Sequence, residues 1–145
     1  MGLLIDLSSF VVVSLGLIVG HHIARLSRSE LKNGQPYLLF LERFLFSLTI
    51  YFFSVLFLSV GFSASISLLV FALLWEYPLR SLIFSSLILG VFSGFGSFNV
   101  LTSSMLYFLV RGSQNYYHKE HSRTVFVGMI IFISCAIIIS VIFPQ

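Results

Sequence analysis

Long apolar runs separated by two polar stretches organise this chain. The runs occupy residues 3–20, 37–62, 80–110 and 124–143. Roughly 20 apolar residues are needed to cross the roughly 30 Å hydrocarbon core of a bilayer as a helix, and each run is close to that length or longer. The pattern therefore predicts an all-α integral membrane protein, formed by one membrane domain with about four transmembrane helices.

Residues 63–79 fit this pattern less simply. Their apolar core is short for a span, and it is followed by Trp75 and, three residues later, by Pro78. Tryptophan is common at membrane–water interfaces, and proline is common at the start of a helix. We expect a short re-entrant or interfacial segment here, with a short true span as the alternative.

The polar stretches 21–36 and 111–123 are expected to be cytosolic loops, because cytosolic loops carry an excess of Lys and Arg. Their basic residues are Arg25, Arg28, Lys32, Arg111, Lys119 and Arg123. The chain between them must then cross an even number of times. With 37–62 as one crossing, we favour a single further crossing by 80–110. Three crossings within 63–110 would also keep every basic residue inside, but with spans of about 16 residues, or roughly 24 Å.

Two charged residues fall inside the second apolar run. Glu42 and Arg43 are adjacent, so they point in different directions and do not pair along the helix. Both lie within two turns of the start of the run. We expect their side chains to extend towards the lipid headgroups.

Composition narrows the class of protein further. Hydrophobic residues make up 58% of the chain and charged residues 9%, which excludes an ordinary soluble domain. Eight Lys and Arg against five Asp and Glu give a net charge of +3. The basic residues lie beside apolar runs, which favours the lipid bilayer as the partner and indicates no nucleic-acid surface.

Small residues recur at intervals of four in two of the predicted spans. Ser86, Gly90 and Gly94 lie on one side of a helix over 80–110, and Gly16 and Gly20 form a similar pair in the first span. Small residues at this spacing let two membrane helices approach closely. These five positions are the predicted helix-packing residues.

The sequence contains no recognisable catalytic motif. The sequence has no nucleophile elbow, phosphate-binding glycine loop or dinucleotide fingerprint, so we predict no enzyme, no catalytic residue and no cofactor. His118 and His121 have a spacing that could suit a metal, but thiolate ligands and a second spaced histidine pair are missing. We predict no metal site, and a metal-dependent membrane enzyme stays as an alternative.

One stretch resembles a known family. Arg80, the sequence S-G-F-G-S-F-N at 93–99, and the sequence M-x-Y-F-L at 105–109 resemble the signature helix of the Golgi pH regulator family, also described as abscisic-acid GPCR-type G proteins. The segment 43–47, R-F-L-F-S, looks like the start of the preceding helix in that family. The resemblance implies that 80–110 is a single helix.

The same resemblance implies a function. It suggests part of an anion channel of the Golgi or endoplasmic reticulum that helps to set luminal pH. Arg80 and Asn99 would line or gate the anion path, and Gly94 and Gly96 would permit an open helix centre. Family members carry further membrane helices, so we expect a homo-oligomer or a subunit of a membrane complex. The alternative is a non-catalytic structural or interaction subunit, whose small-residue face packs on a partner helix.

Overall fold

A computed structural model describes residues 2–76, 82–95, 97–117 and 122–143, apart from the side chains of 2–7, 28–32, 115–117 and 122. These residues form six α-helices and no strand, which confirms the all-α prediction. The helices are α1 (Gly2–Leu26), α2 (Arg28–Val55), α3 (Val60–Glu76), α4 (Leu82–Ser93), α5 (Phe98–Tyr117) and α6 (Ser122–Ile142).

Three helical segments in the described part of the chain are long and apolar enough to cross a membrane. They are Ser8–Leu26, Asn33–Val55 and Arg123–Ile142. The predicted membrane class is therefore supported, while the count differs from the four spans expected. The difference arises in the stretch 80–110.

That stretch is two helices, and the prediction of a single span is wrong. The Ser93 hydroxyl lies 3.3 Å from the Ser104 hydroxyl, and the hydroxyls of Ser85 and Tyr107 interact as well. Residues on α4 and α5 therefore face each other in antiparallel order, so α5 folds back along α4. The break falls at S-G-F-G-S-F-N, where glycine, serine and asparagine favour a turn over a helix.

The two predicted polar loops are also largely helical. Within 21–36, α1 continues to Leu26, Ser27 forms a turn, and α2 runs on through Pro36. Proline leaves the carbonyl group four residues earlier without its helical partner. Asn33, Pro36 and Tyr37 are exposed around this point, so solvent can reach the helix there. In the second predicted loop, α5 continues to Tyr117.

Helix α3 runs back along α2. The Ser47 hydroxyl donates to the Ser67 carbonyl at 2.7 Å, and the Ser67 hydroxyl donates to the Ser47 carbonyl at 2.9 Å. Further along, the Arg43 guanidinium lies 5.1 Å from the centre of the Trp75 ring. Helix α3 is therefore antiparallel to α2, and it is shorter than the three candidate spans.

The six helices alternate in direction. Helices α1 and α5 are parallel, and so are α4 and α6, because residue numbers rise together along their contacts. Helix α2 is antiparallel to both α3 and α5. Together with the antiparallel order of α4 and α5, this fixes two ends of the bundle. We call the end at which α1, α3 and α5 finish the basic end, and the opposite one the aromatic end.

Candidate ion site on helix α5

Helix α5 carries polar side chains on the face that it turns into the bundle. Ser104, Tyr107, Arg111 and Gln114 are separated by three, four and three residues, which places them on one side of a helix. All four are buried, with exposed fractions between 0% for Ser104 and 6% for Arg111. We call them the polar stripe, which covers roughly 15 Å of helix.

A buried ion pair forms the centre of the stripe. Arg111 Nη1 donates to Glu42 Oε1 on α2 at 2.7 Å, and the Tyr107 hydroxyl donates to the same oxygen at 3.4 Å. Glu42 is 6% exposed. Charges removed from water in this way are tolerated when they are paired and hydrogen-bonded, and leaving one of them alone is strongly destabilising.

Gln114 adds a buried carboxamide beside the ion pair. The side chain interacts with the Glu42 carboxylate and is only 2% exposed. Neither Nε2 nor Oε1 has a hydrogen-bond partner of ordinary geometry among the described residues. An unsatisfied buried polar group costs about 1–3 kcal/mol, and such groups usually contact water or a ligand.

Close contact between α1 and α5 holds the stripe in place. A β-carbon on Gly112 would overlap the Leu17 backbone, and one on Gly20 would overlap the Leu109 backbone. The Ser113 hydroxyl, on the α1 side of α5, donates to the Gly20 carbonyl at 3.0 Å. Since these helices touch backbone to backbone, rotation of α5 is restricted and its polar face stays directed at α2 and α4.

Aromatic rings close the bundle beyond the last residue of the stripe. Phe53 and Phe92 stack with their ring centres 4.0 Å apart, and Phe95 packs on Phe53, Phe57 and Phe143 at 5.3–5.5 Å. We call these five residues the aromatic cluster. Ser93, which contacts Ser104 of the stripe, directly follows Phe92 in the sequence. The stripe therefore extends from the basic end towards the aromatic cluster.

The predicted ion-path residues do not join this stripe. Asn99 is exposed in the first turn of α5, at the aromatic end, and Gly94 faces α6. Arg80 and Gly96 lie outside the described residues, as do His118 and His121 of the metal alternative.

The predicted packing residues lie at contacts within the chain itself. A β-carbon on Gly16 would lie 2.9 Å from the Met105 carbonyl oxygen, and Gly20 meets Leu109. On the other side of the bundle, Gly90, Gly94 and Ser86 contact α6. A β-carbon added to Gly90 would lie 2.7 Å from the Phe132 carbonyl oxygen, and one added to Gly94 would lie 2.8 Å from the Ala136 carbonyl oxygen. A β-carbon added to Gly128 of α6 would lie 3.0 Å from the Ser86 hydroxyl oxygen.

Sequence reasoning missed the ion pair. It placed Arg111 in a loop and directed Glu42 towards the headgroups, whereas the two side chains meet inside the bundle. The 3–4–3 spacing of the polar stripe was the available signal. The sequence prediction ended the helix before Arg111, so it split this spacing between a helix and a loop.

Comparison with known proteins does not add a relative. No family model, no curated protein and no solved structure matches the chain. The site is therefore interpreted from its own chemistry, and the resemblance of 80–110 to the Golgi pH regulator family rests on the residues quoted above.

Proposed function

We propose that the protein is an integral membrane protein of the ion channel or transporter class, and that the polar stripe handles the ion. The buried pair between Glu42 and Arg111 carries this proposal. Ionisable side chains inside a membrane bundle are rare and typically mark ion paths or relays. A stabilising role is a weaker explanation, because replacing a buried ion pair by apolar residues is often neutral or favourable.

The charge distribution supports a membrane orientation. The basic residues of the described helices lie at the ends that meet at the basic end, apart from Arg43 and Arg111, which lie further inside α2 and α5. These residues are Arg25, Arg28, Lys32, Arg43, Arg111 and Arg123. By the positive-inside rule, the basic end faces the cytosol. Six crossings would follow, with the short helices α3 and α4 in a locally thin or protein-shielded part of the membrane.

The chemistry of the site favours an anion over a cation. Three groups that converge on it can donate hydrogen bonds: the Arg111 guanidinium, the Tyr107 hydroxyl and the Gln114 amide. Positive charge at the basic end would also raise the local concentration of anions.

The cellular compartment follows from the resemblance alone. On that ground the protein would act in the Golgi or endoplasmic reticulum, in ion and pH homeostasis. A counter-ion conductance would let a proton pump acidify the lumen without building up voltage. The path would run along the polar stripe, since Asn99 and Gly94 lie away from it.

The second candidate function is a structural or interaction subunit. The small-residue faces expected to dock a partner contact α5 and α6 of the same chain. A partner or second copy would therefore need another surface. Helix α3 packs mainly on α2, and its outer face exposes Leu68, Leu69 and Leu73. This face suits lipid as well as protein, so it does not favour the second candidate.

Chloride flux into vesicles tests the proposed function. Purified wild-type protein in phosphatidylcholine vesicles is expected to accelerate chloride uptake, and Arg111→Gln is expected to abolish it, because the fixed positive charge of the site is lost. Arg25→Gln is the matched control, since Arg25 is an exposed basic residue of the same end. Equal flux in vesicles with and without the wild-type protein would contradict the proposal.

A further inference from the structure

The Glu42–Arg111 pair has the form of a contact that an anion can replace. One carboxylate oxygen, Oε1, accepts from both Arg111 and Tyr107. Arginine N–H groups form strong, charge-assisted bonds with anionic oxygens. When Glu42 loses its negative charge, the positive charge of Arg111 is left to attract another anion.

Gln114 is the observation that points to a ligand. Its carboxamide lies beside the Glu42 carboxylate, is almost completely buried, and has no hydrogen-bond partner for either polar atom within the described part of the chain. On α5 it lies three residues from Arg111, on the same face. An amide donor and a guanidinium therefore lie next to the same carboxylate.

We propose that Glu42 and Arg111 form a proton-linked anion site, in which Glu42 takes up a proton and Arg111 then binds a small monovalent anion. This inference rests on the proposed function in so far as the polar stripe handles an anion, and it replaces the counter-ion conductance, because one anion moving with one proton carries no net charge. The proton forms an O–H bond at the Glu42 carboxyl group, whose neutral acid form no longer balances Arg111. The anion takes over that role, with Gln114 and Tyr107 as further donors. The site has zero net charge before and after the exchange.

Among the charged and titratable groups of this region, Glu42 is the one placed to carry the proton. From α5 it faces Arg111 and Tyr107. From its own helix, Arg43 turns away towards Trp75, and Glu76 of α3 is exposed. Helix α1 contributes His21, whose backbone nitrogen packs on Gly112, while α4 contributes the uncharged Ser85. Because an isolated charge in an apolar interior is strongly unfavourable, proton and anion must enter and leave together.

The consequence for transport is coupling. Each anion that passes the site carries one proton with it, so the movement is electrically neutral. A chloride gradient would then drive protons, and a pH gradient would drive chloride. A simple anion conductance would instead respond to membrane voltage and leave pH unchanged.

Coupled flux in vesicles of wild-type protein is the test. Phosphatidylcholine vesicles contain a pH-sensitive dye, and potassium with valinomycin sets the voltage. Addition of external chloride is expected to acidify the lumen at a rate that does not change when the voltage is changed. Chloride uptake that follows voltage and leaves the lumen pH constant would overturn the inference while leaving the proposed function intact. No chloride uptake would contradict both.

Substitutions separate the two roles. In Glu42→Gln, the neutral amide resembles the protonated acid, so chloride uptake is expected to persist while acidification is lost and voltage dependence appears. Glu42→Asp keeps a carboxyl group and is expected to retain acidification, which guards against a folding defect in Glu42→Gln. His21→Gln is the matched control for a nearby titratable group and should keep the coupling. Acidification that persists in Glu42→Gln and is lost in His21→Gln would overturn the assignment.

Discussion

The two ends of the bundle carry different kinds of side chain. At the basic end, charged groups line the helix ends, and one pair, Glu42 and Arg111, extends this chemistry into the interior. At the aromatic end, five phenylalanines stack on one another around the turn between α4 and α5. Helix α5 connects both, because its polar stripe starts at Gln114 near the first end and finishes at Ser104 near the second.

The difference between the two ends shows how a short chain can combine a fixed orientation in the membrane with a polar interior. Charges at one end orient the bundle in the membrane. Aromatic rings at the other end contribute large contact areas without polar groups that would need partners. The chemistry along the polar stripe thus changes from an ion pair near the basic end to serine hydroxyls near the aromatic cluster. The following substitutions test each part of this comparison.

Removal of Arg111 should have the largest effect on stability. In Arg111→Met, Glu42 keeps a buried charge without its partner, and the free energy of unfolding should fall by about 3–5 kcal/mol. The double variant Arg111→Met with Glu42→Gln should recover much of this loss, because no charge is left unpaired. Unfolding in detergent micelles measures both, and Arg25→Met serves as the exposed control with an effect within about 0.5 kcal/mol. Equal losses in Arg111→Met and the double variant would contradict a charge-pair role.

Close packing of α1 on α5 should rank second. In Gly20→Ala, the new methyl group meets the Leu109 backbone, which cannot move aside as a flexible side chain would. We expect a loss near the upper part of the usual overpacking range, about 3 kcal/mol. Gly34→Ala is the matched control, because nothing lies within 4 Å of its β-carbon position and alanine favours a helix. A neutral Gly20→Ala would show that the two helices lie further apart than described.

The aromatic end should respond less strongly. Phe53→Ala removes the stack on Phe92 and the contact with Phe95, but Phe53 is only partly buried. We expect a loss of about 2 kcal/mol in the free energy of unfolding, below the range for a fully buried phenylalanine. Phe98→Ala removes an exposed ring nearby and should change stability little. Similar losses in both variants would argue against a packed cluster.

The attachment of α3 should give the smallest effect. Ser47→Ala removes one of two reciprocal hydrogen bonds to Ser67, and a hydrogen bond of this kind contributes about 1 kcal/mol. Ser65→Ala is the control, because its hydroxyl bonds only within α3. A loss in Ser47→Ala no larger than that in Ser65→Ala would show that the hydroxyl pair does not hold α3 to α2.

The sequence predicted the class of structure better than its path. Helix content follows from long apolar runs, so the predicted spans 3–20, 37–62 and 124–143 each overlap an observed helix, although α2 runs from Arg28 to Val55 and not from 37 to 62. The motif S-G-F-G-S-F-N at 93–99 contains residues that favour turns, yet the direction of the chain after it depends on which helices pack against α4 and α5, and no local pattern contains that information. The resemblance of 80–110 to a single family helix favoured the wrong alternative.

Candidate site residues were harder to find for a similar reason. Asn99 and Gly94 attract attention as unusual residues in an apolar run, but the fold leaves one exposed and the other packed on α6. Glu42 and Arg111 lie 69 positions apart in the sequence and meet only because α2 and α5 run in opposite directions. Helical spacing could have predicted the stripe, whereas its acidic partner required the tertiary fold.

Labelling of single cysteines in a Cys135→Ser background tests the two-ended bundle most directly. Ser27 lies in the turn at the basic end, while Ser59 and Ser97 lie in turns at the aromatic end. Ser27→Cys is expected to react with a membrane-impermeant reagent from the cytosolic side, and Ser59→Cys and Ser97→Cys from the opposite side. If Ser97→Cys were protected from both sides while Ser59→Cys reacted, residues 80–110 would form one membrane-spanning helix, and the alternating six-helix bundle would be contradicted.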